Sequence, residues 1–498
     1  MSPSSSAGVV FPRGEDGRRS TTATGRAVWA DAVRDVDPGL AARIDAARDW
    51  RTAYVRDVVD VTAAGTTSPG TALSVARAGL ASLAARMRFE QEGSTVPVAE
   101  AVAQAAGPPL GTSRTTGQRE RVTELVVPYH GRALRGDALL RQLDDWVATG
   151  TIEPSCAQAL RRVVATPAWL DLRDRAFALL GAAAELGPVT PLLSWGAHVA
   201  AVDLPVRRLQ ERLLTAAREG AGTLDLPLRP GSTGTGDVAG QSGADLLLET
   251  PSVARWLAEA PGDLPLTVGS YAYADGAMHV QVAMASDAVV EHLLRVRPGT
   301  SYAELATPTD AYAVPADVVQ DARGRWAGRG WLALAQRPAQ ALSRGALYAP
   351  SYRVTVARED GTQVGIADVL VPQQGPNYTL AKRLQRWRAV AAHADGAVVS
   401  ANVAPATRTR SVTKNRLLAA AYAGASAFGV EVFPPGTSRV LMAALLVHDL
   451  RTGGVDAAHP DDVLAAQAAH GGLWRTGYAP RSVLGLAAVR GLPSALRR

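Results

Sequence analysis

A single cysteine, Cys156, stands in 498 residues, so no internal disulfide can form. A reducing, intracellular location in the cytoplasm is the expectation that follows. No uninterrupted apolar run approaches the ~18 residues of a spanning helix, so no membrane span is expected. Met1 to Gly25 is rich in Ser, Thr, Gly and Arg and carries no signal-peptide core, so residues 1–26 read as a flexible tail. The eight histidines fall in no HExxH or paired Cys/His spacing, and no metal site is expected. The formal net charge is +6, yet the arginines are dispersed and no nucleic-acid motif accompanies them, so nucleic acid is not an expected partner. Lysine is the scarcest cation. Of 52 lysines and arginines only Lys382 and Lys414 are lysine.

What is present divides by texture. From Ala27 to Leu170 the apolar residues recur at helical spacing, as in PGTALSVARAGLASLAARMRFEQE and EPSCAQALRRVVATP. At Arg175 the pattern changes. RAFALLG reads as a strand, VTPLLSWG as a helix and HVAAVD as a second strand, the order of a parallel βαβ unit. VRRLQERLLTAAREG and GTLDLPL repeat the crossover, LPLTVGSYAYADG and GAVVSANVAP supply further strands, and Asp360-Gly361 marks a hairpin turn. The expected fold class is α/β, a Rossmann-like doubly wound parallel sheet. A mainly helical N-terminal domain (27–170) would precede a sheet domain (171–437) with an insertion around 278–349, and a helical C-terminal extension or lid (438–498) would follow.

The first crossover has the makings of a nucleotide site. Gly181 to Gly187 reads GAAAELG, a small-residue turn between strand and helix, where free N–H groups can receive a phosphate. Gly181, Ala183, Leu186 and Gly187 are the expected contacts. Asp203 ends the second strand, where an acid can accept hydrogen bonds from the adenosine ribose; it favours NAD over NADP. Further on, NYTLAKRLQR places Tyr378 and Lys382 at i and i+4, on one helix face. An ammonium beside a phenol lowers its pKa and makes it a usable acid/base. A lysine in a chain that uses arginine almost everywhere suggests that its compact charge is required there.

Together these segments resemble the short-chain dehydrogenase/reductase family. Gly181 and Gly187 match the outer glycines of its T-G-x-x-x-G-x-G turn, with Glu185 in place of the middle glycine. Asp245 in ADLLLETPSVARWL resembles the acid that contacts adenine. Tyr378 and Lys382 match Y-x-x-x-K, and ANVAPATRT, with Val403 and Pro405, resembles N-x-V-x-P-G. The matches keep the family's order between Arg175 and about Arg410. The resemblance implies an NAD(P)-dependent oxidoreductase acting on a carbonyl or secondary alcohol of a hydrophobic substrate, often as a homo-oligomer. Tyr378 would be the acid/base, Lys382 would tune it and contact the nicotinamide ribose, and Asp245 and Pro405 would contact cofactor. Besides Glu185, the family's N-N-A-G strand end is absent, with LTVGSYAYADG in its place, and three further features depart. The span from Gly181 to Tyr378 is long, the usual helix-borne asparagine has no counterpart, and GIADVLVPQQGPN lacks the serine usual about a dozen residues before the tyrosine. Gln373, Gln374 and Ser351 are the candidates to polarise a carbonyl instead. Two other readings stay open, a non-catalytic nucleotide-binding or assembly protein and a lyase or isomerase without net redox.

Overall fold

The computed structural model describes residues 8–495. Its centre is a seven-stranded sheet. The strands are numbered here in chain order: β1 (Gly111–Thr116), β2 (Ala176–Leu180), β3 (His198–Val202), β4 (Thr223–Leu228), β5 (Leu266–Ser270), β6 (Ser301–Ala306) and β7 (Val399–Val403). Along the sheet the order is β7-β6-β5-β2-β3-β4-β1. β2 to β7 run parallel, and β1 closes one edge antiparallel to β4. The chain therefore builds outward from β2 through β3 and β4, then returns to the other side of β2 and builds outward again through β5, β6 and β7. The direction reverses between β2 and β5.

Strand alternation divides the core in two. Ala176, Ala178 and Leu180 of β2 enter one apolar cluster with residues of α1 (Thr21–Val33), α2 (Pro69–Arg86), α6 (Ala277–Val296) and α8 (Gly375–Ala394). Phe177 and Leu179 enter the other with residues of α3 (Pro154–Ala165), α4 (Val189–Ser194), α5 (Arg207–Arg218) and α10 (Pro435–Thr452). With both faces covered, the central strands are apolar throughout, which is why AFALL and VAAV read as continuous runs rather than alternations.

Several expectations are corrected. The stretch 27–170 is not wholly helical. Arg88–Gln91 and Ser94–Pro97 form a hairpin, and β1, rich in threonine as strands often are, joins the main sheet. The tail is shorter than 1–26. Gly8–Val10 pairs with the strand at Arg88 and α1 starts at Thr21; residues 1–7 lie outside the described residues. The range 278–349 is not one insertion, because α6 and β6 belong to the main layers. The inserted unit follows β6. It is a three-stranded antiparallel sheet of Ala311–Pro315, Thr355–Ala357 and Gln363–Asp368 with two helices, Ala316–Ala327 and α7 (Trp331–Leu342). The last two of these strands are the hairpin expected around Asp360-Gly361. The C-terminal extension is no lid in its first part. Leu445, Leu446 and Val447 of α10 are core residues of the second face. α11 (Pro480–Ala495) packs instead on α9 (Arg416–Gly424) through glycine: a Cβ on Gly424 would sit 2.1 Å from the Ala487 carbonyl oxygen.

Candidate functional site

The carboxyl ends of β2, β3, β5, β6 and β7 open into a cleft of about 950 Å³. The turn residues Gly181, Ala183, Leu186 and Gly187 line it. So do Asp203, Asp245, Tyr378, Lys382 and Pro405, so one cleft gathers every residue expected to contact cofactor or carry the acid/base pair.

Gly181 sits at the reversal of strand order with φ +76°, and a Cβ there would lie 2.4 Å from the Ala272 Cα. Only glycine lets the loops after β2 and β5 meet so closely. The turn that follows is braced from within. The Ala183 N–H donates to the Asp203 carboxylate at 2.7 Å and the Leu204 N–H donates to it at 2.9 Å. Burial raises the Asp203 pKa, and these two backbone donors oppose the rise. Asp203 is thus partly occupied in shaping the turn, a role the spacing alone did not reveal. The Glu185 and Leu186 N–H groups have no hydrogen-bond acceptor among the described residues. The Glu185 carboxylate accepts the Arg410 N–H at 2.8 Å, which carries it toward the segment after β7. Its own carbonyl takes two bonds from Arg439, at 2.6 and 3.0 Å. α4 is only six residues long, much shorter than the helix the motif usually opens. Asp245 caps its own loop, accepting the Leu247 N–H at 2.9 Å.

The opposite wall is the first two turns of α8. Its i, i+4 spacing does bring Tyr378 and Lys382 to the same cleft, but they do not pair. The Tyr378 hydroxyl donates to Thr307 Oγ1 at 2.9 Å, and the Thr307 and Thr309 hydroxyls are 2.9 Å apart. Lys382 Nζ donates to Gln385 Oε1 at 2.8 Å and more weakly to the Leu305 carbonyl at 3.4 Å. Burial raises the Tyr378 pKa, with the Thr307 and Thr309 hydroxyls opposing. Burial lowers that of Lys382, with Glu304 opposing. The lysine therefore does not pull the phenol down as the spacing suggested: desolvation of the phenol decides the direction.

Three residues escaped the sequence reading. Thr307 supplies the hydroxyl missing before the tyrosine. It leaves the end of β6, and the inserted unit separates it from Tyr378 in the chain while the sheet returns it to contact. His279, near the start of α6, is 1% exposed with neither ring nitrogen hydrogen-bonded among the described residues. Its ring lies 4.7 Å from Tyr273 and 5.4 Å from Tyr378, and it lines the cleft. Burial, then the Lys382 charge, hold its pKa down at about 3, so the imidazole is neutral. Glu304, in β6, is 2% exposed and neither carboxylate oxygen has a hydrogen-bond partner among the described residues. Burial raises its pKa to about 7, and the Lys382 and Arg386 charges oppose the rise. A glutamate inside SYAELA gave no signal because its strand neighbours are apolar; only the lysine beneath the cleft makes it notable. Ser351 lies away from this cleft, donating to the Thr476 carbonyl at 2.9 Å, whereas Gln373 and Gln374 do line it.

No family model, no curated protein and no solved structure matches this chain.

Proposed function

We propose that the protein is an NAD(P)-dependent oxidoreductase acting on a carbonyl or secondary alcohol, built on a Rossmann-like doubly wound sheet. The observation that carries the reading is the meeting of Tyr378 with Thr307 in the same cleft as the Gly181–Gly187 turn, beside the point where strand order reverses. Open parallel sheets bind ligands at that point. The residues fit a dinucleotide. Among the described residues two turn N–H groups lack acceptors and His279 is an unsatisfied polar group at the other end, while Gly181 admits close backbone approach. The turn would hold the pyrophosphate, Asp203 and Asp245 the adenosine end, and Lys382 and Pro405 the nicotinamide end. Bound there, the group supplies hydride exchange at its nicotinamide C4.

The chain's own task is the proton. A phenol whose pKa is raised stays protonated at neutral pH, so Tyr378 is set to donate to a carbonyl oxygen rather than to abstract. Thr307 and Thr309 continue the hydroxyl chain behind it and can return the proton. The neutral His279 can donate its N–H to a carbonyl oxygen, or accept from an alcohol O–H at its other nitrogen. Tyr271 and Tyr273 bound the cleft on the side of β5, and Leu418 and Tyr422 on that of α9, which suits an apolar substrate body.

The short α4 and the carboxylate of Glu185 beside the turn favour a second reading, proton transfer on this cleft without redox. Titration with NADH and NADPH, followed by fluorescence, separates the two. Binding of either, retained in Tyr378→Phe with loss of turnover, supports the oxidoreductase. A folded protein that binds neither refutes it.

A further inference from the structure

α7 is built inside out. Its inner side is Ala333, Gln336, Ala339, Gln340 and Ser343, and two of these tie it to the body: Gln336 Nε2 donates to the Tyr478 hydroxyl at 2.8 Å and Gln340 Nε2 to the Tyr348 carbonyl at 2.7 Å. Its outer side carries Trp331, Leu334 and Leu342, which are 74%, 61% and 88% exposed. No residue of this helix is buried. A surface helix ordinarily turns such residues inward. Here polar side chains hold the helix in place and leave its apolar stripe unpartnered.

The surrounding charge says what the stripe meets. Between Asp321 and Glu359 the chain has seven arginines and no acidic residue. Arg358 is taken by Asp462 and Arg325 by Asp321, while Arg329 lies over the Trp326 ring. Arg323, Arg337 and Arg344 are exposed and have no carboxylate partner among the described residues. A second copy of the chain is a poor occupant, because a two-fold contact would set this uncompensated positive face against itself. An apolar ridge with a tryptophan and flanking arginines matches the boundary of an anionic bilayer, where acyl chains receive the ridge and headgroups receive the guanidiniums. No helix among the described residues is long and apolar enough to cross a membrane, so the contact is with its surface.

We propose that α7 docks the protein on an anionic lipid surface. The inference is independent of the chemistry in the cleft.

The test is co-sedimentation of the full chain with vesicles of phosphatidylcholine containing about one-third phosphatidylglycerol, against vesicles of phosphatidylcholine alone. Binding is expected to the first and to fall steeply with added salt, as the Debye length shrinks from about 10 Å at 0.1 M to about 3 Å at 1 M. Trp331→Ser with Leu342→Ser should weaken it at least about tenfold. Arg337→Glu or Arg344→Glu should each weaken it about fivefold or more. These side chains are exposed, so circular dichroism should be unchanged. Absence of sedimentation, equal binding to both vesicles, or binding indifferent to the serine variant would overturn the proposal. So would a dimer, seen by light scattering, that Trp331→Ser with Leu342→Ser dissociates, since a second copy would then cover the stripe.

Discussion

Glu304→Gln isolates a buried carboxyl that has no hydrogen-bond partner among the described residues. Burial lifts the Glu304 pKa from an ordinary 4.5 to about 7. In the unfolded chain it ionises near the ordinary value. Between those two pH values the unfolded state gives up a proton that the native state keeps. The stability that protonation affords is therefore complete below about pH 4.5, declines as pH rises, and is lost above about pH 7. At about 1.4 kcal/mol per pH unit the loss is about 3 kcal/mol. Glutamine cannot ionise. The variant should match the wild type within about 1 kcal/mol near pH 4.5 and exceed it by about 3 kcal/mol at pH 8. An unfolding entropy of about 2.1 cal/mol/K per residue over the whole chain makes that gain about 3 °C in Tm. Differential scanning fluorimetry of both proteins from pH 4.5 to 8 reads the difference directly. Because Lys382 opposes the rise, Lys382→Met should move the same transition to higher pH. A Tm difference that stays flat with pH, or one that favours the wild type as pH rises, would refute the account of Glu304 as a carboxyl kept neutral by burial.

Three further outcomes are expected. Tyr378→Phe keeps the aromatic packing against His279 but removes the proton donor, so turnover should fall by at least about 100-fold while dinucleotide affinity stays within a few fold, by steady-state kinetics and fluorescence titration. Asp310→Ala leaves Arg383, 2% exposed, without its carboxylate partner and should cost about 3–5 kcal/mol in urea unfolding. Gly79→Ala should lower stability although alanine is the better helix former by about 1 kcal/mol, because its Cβ would lie 2.4 Å from the Trp387 ring and overpacking costs about 1–3 kcal/mol. A Gly79→Ala protein that melts higher than the wild type would show that the ring moves aside freely.

The sheet and its cleft were legible because they rest on local signals. GAAAELG, HVAAVD and ANVAP each lie at the end of a strand whose apolar run is readable, and strand ends of one parallel sheet converge whatever separates them in sequence. Residues whose meaning depends on a partner far along the chain were not legible. Thr307 is one of two threonines in ATPTDAYAVP until the inserted unit is folded out of the way. Asp310 is 2% exposed and holds Arg383 with bonds of 2.7 and 3.2 Å. Glu304 and His279 have no sequence signature, since their importance is that they are buried beside Lys382.

The N-terminal helices gain a role from the same contacts. α8 carries Tyr378 and Lys382 at one end, and its remaining length is held on several sides. Arg383 joins Asp310 of the inserted unit and, at 3.0 Å, Thr62 of the N-terminal region. Arg386 joins Asp461, and Arg388 joins Asp287 and Glu291 of α6. Trp387 fills the notch that Gly79 leaves in α2 and packs edge-on to Trp29 of α1, with ring centroids 5.3 Å apart. Apolar side chains of matching size would give comparable stability without the desolvation of these charges. Ionic contacts, by contrast, fix direction and register, and the proton-donor role proposed for Tyr378 would need its helix fixed in both. On this argument the N-terminal helices that carry Trp29, Thr62 and Gly79 are the outer buttress of α8, and under the proposed function Gly79 and Trp29 help to set where Tyr378 stands.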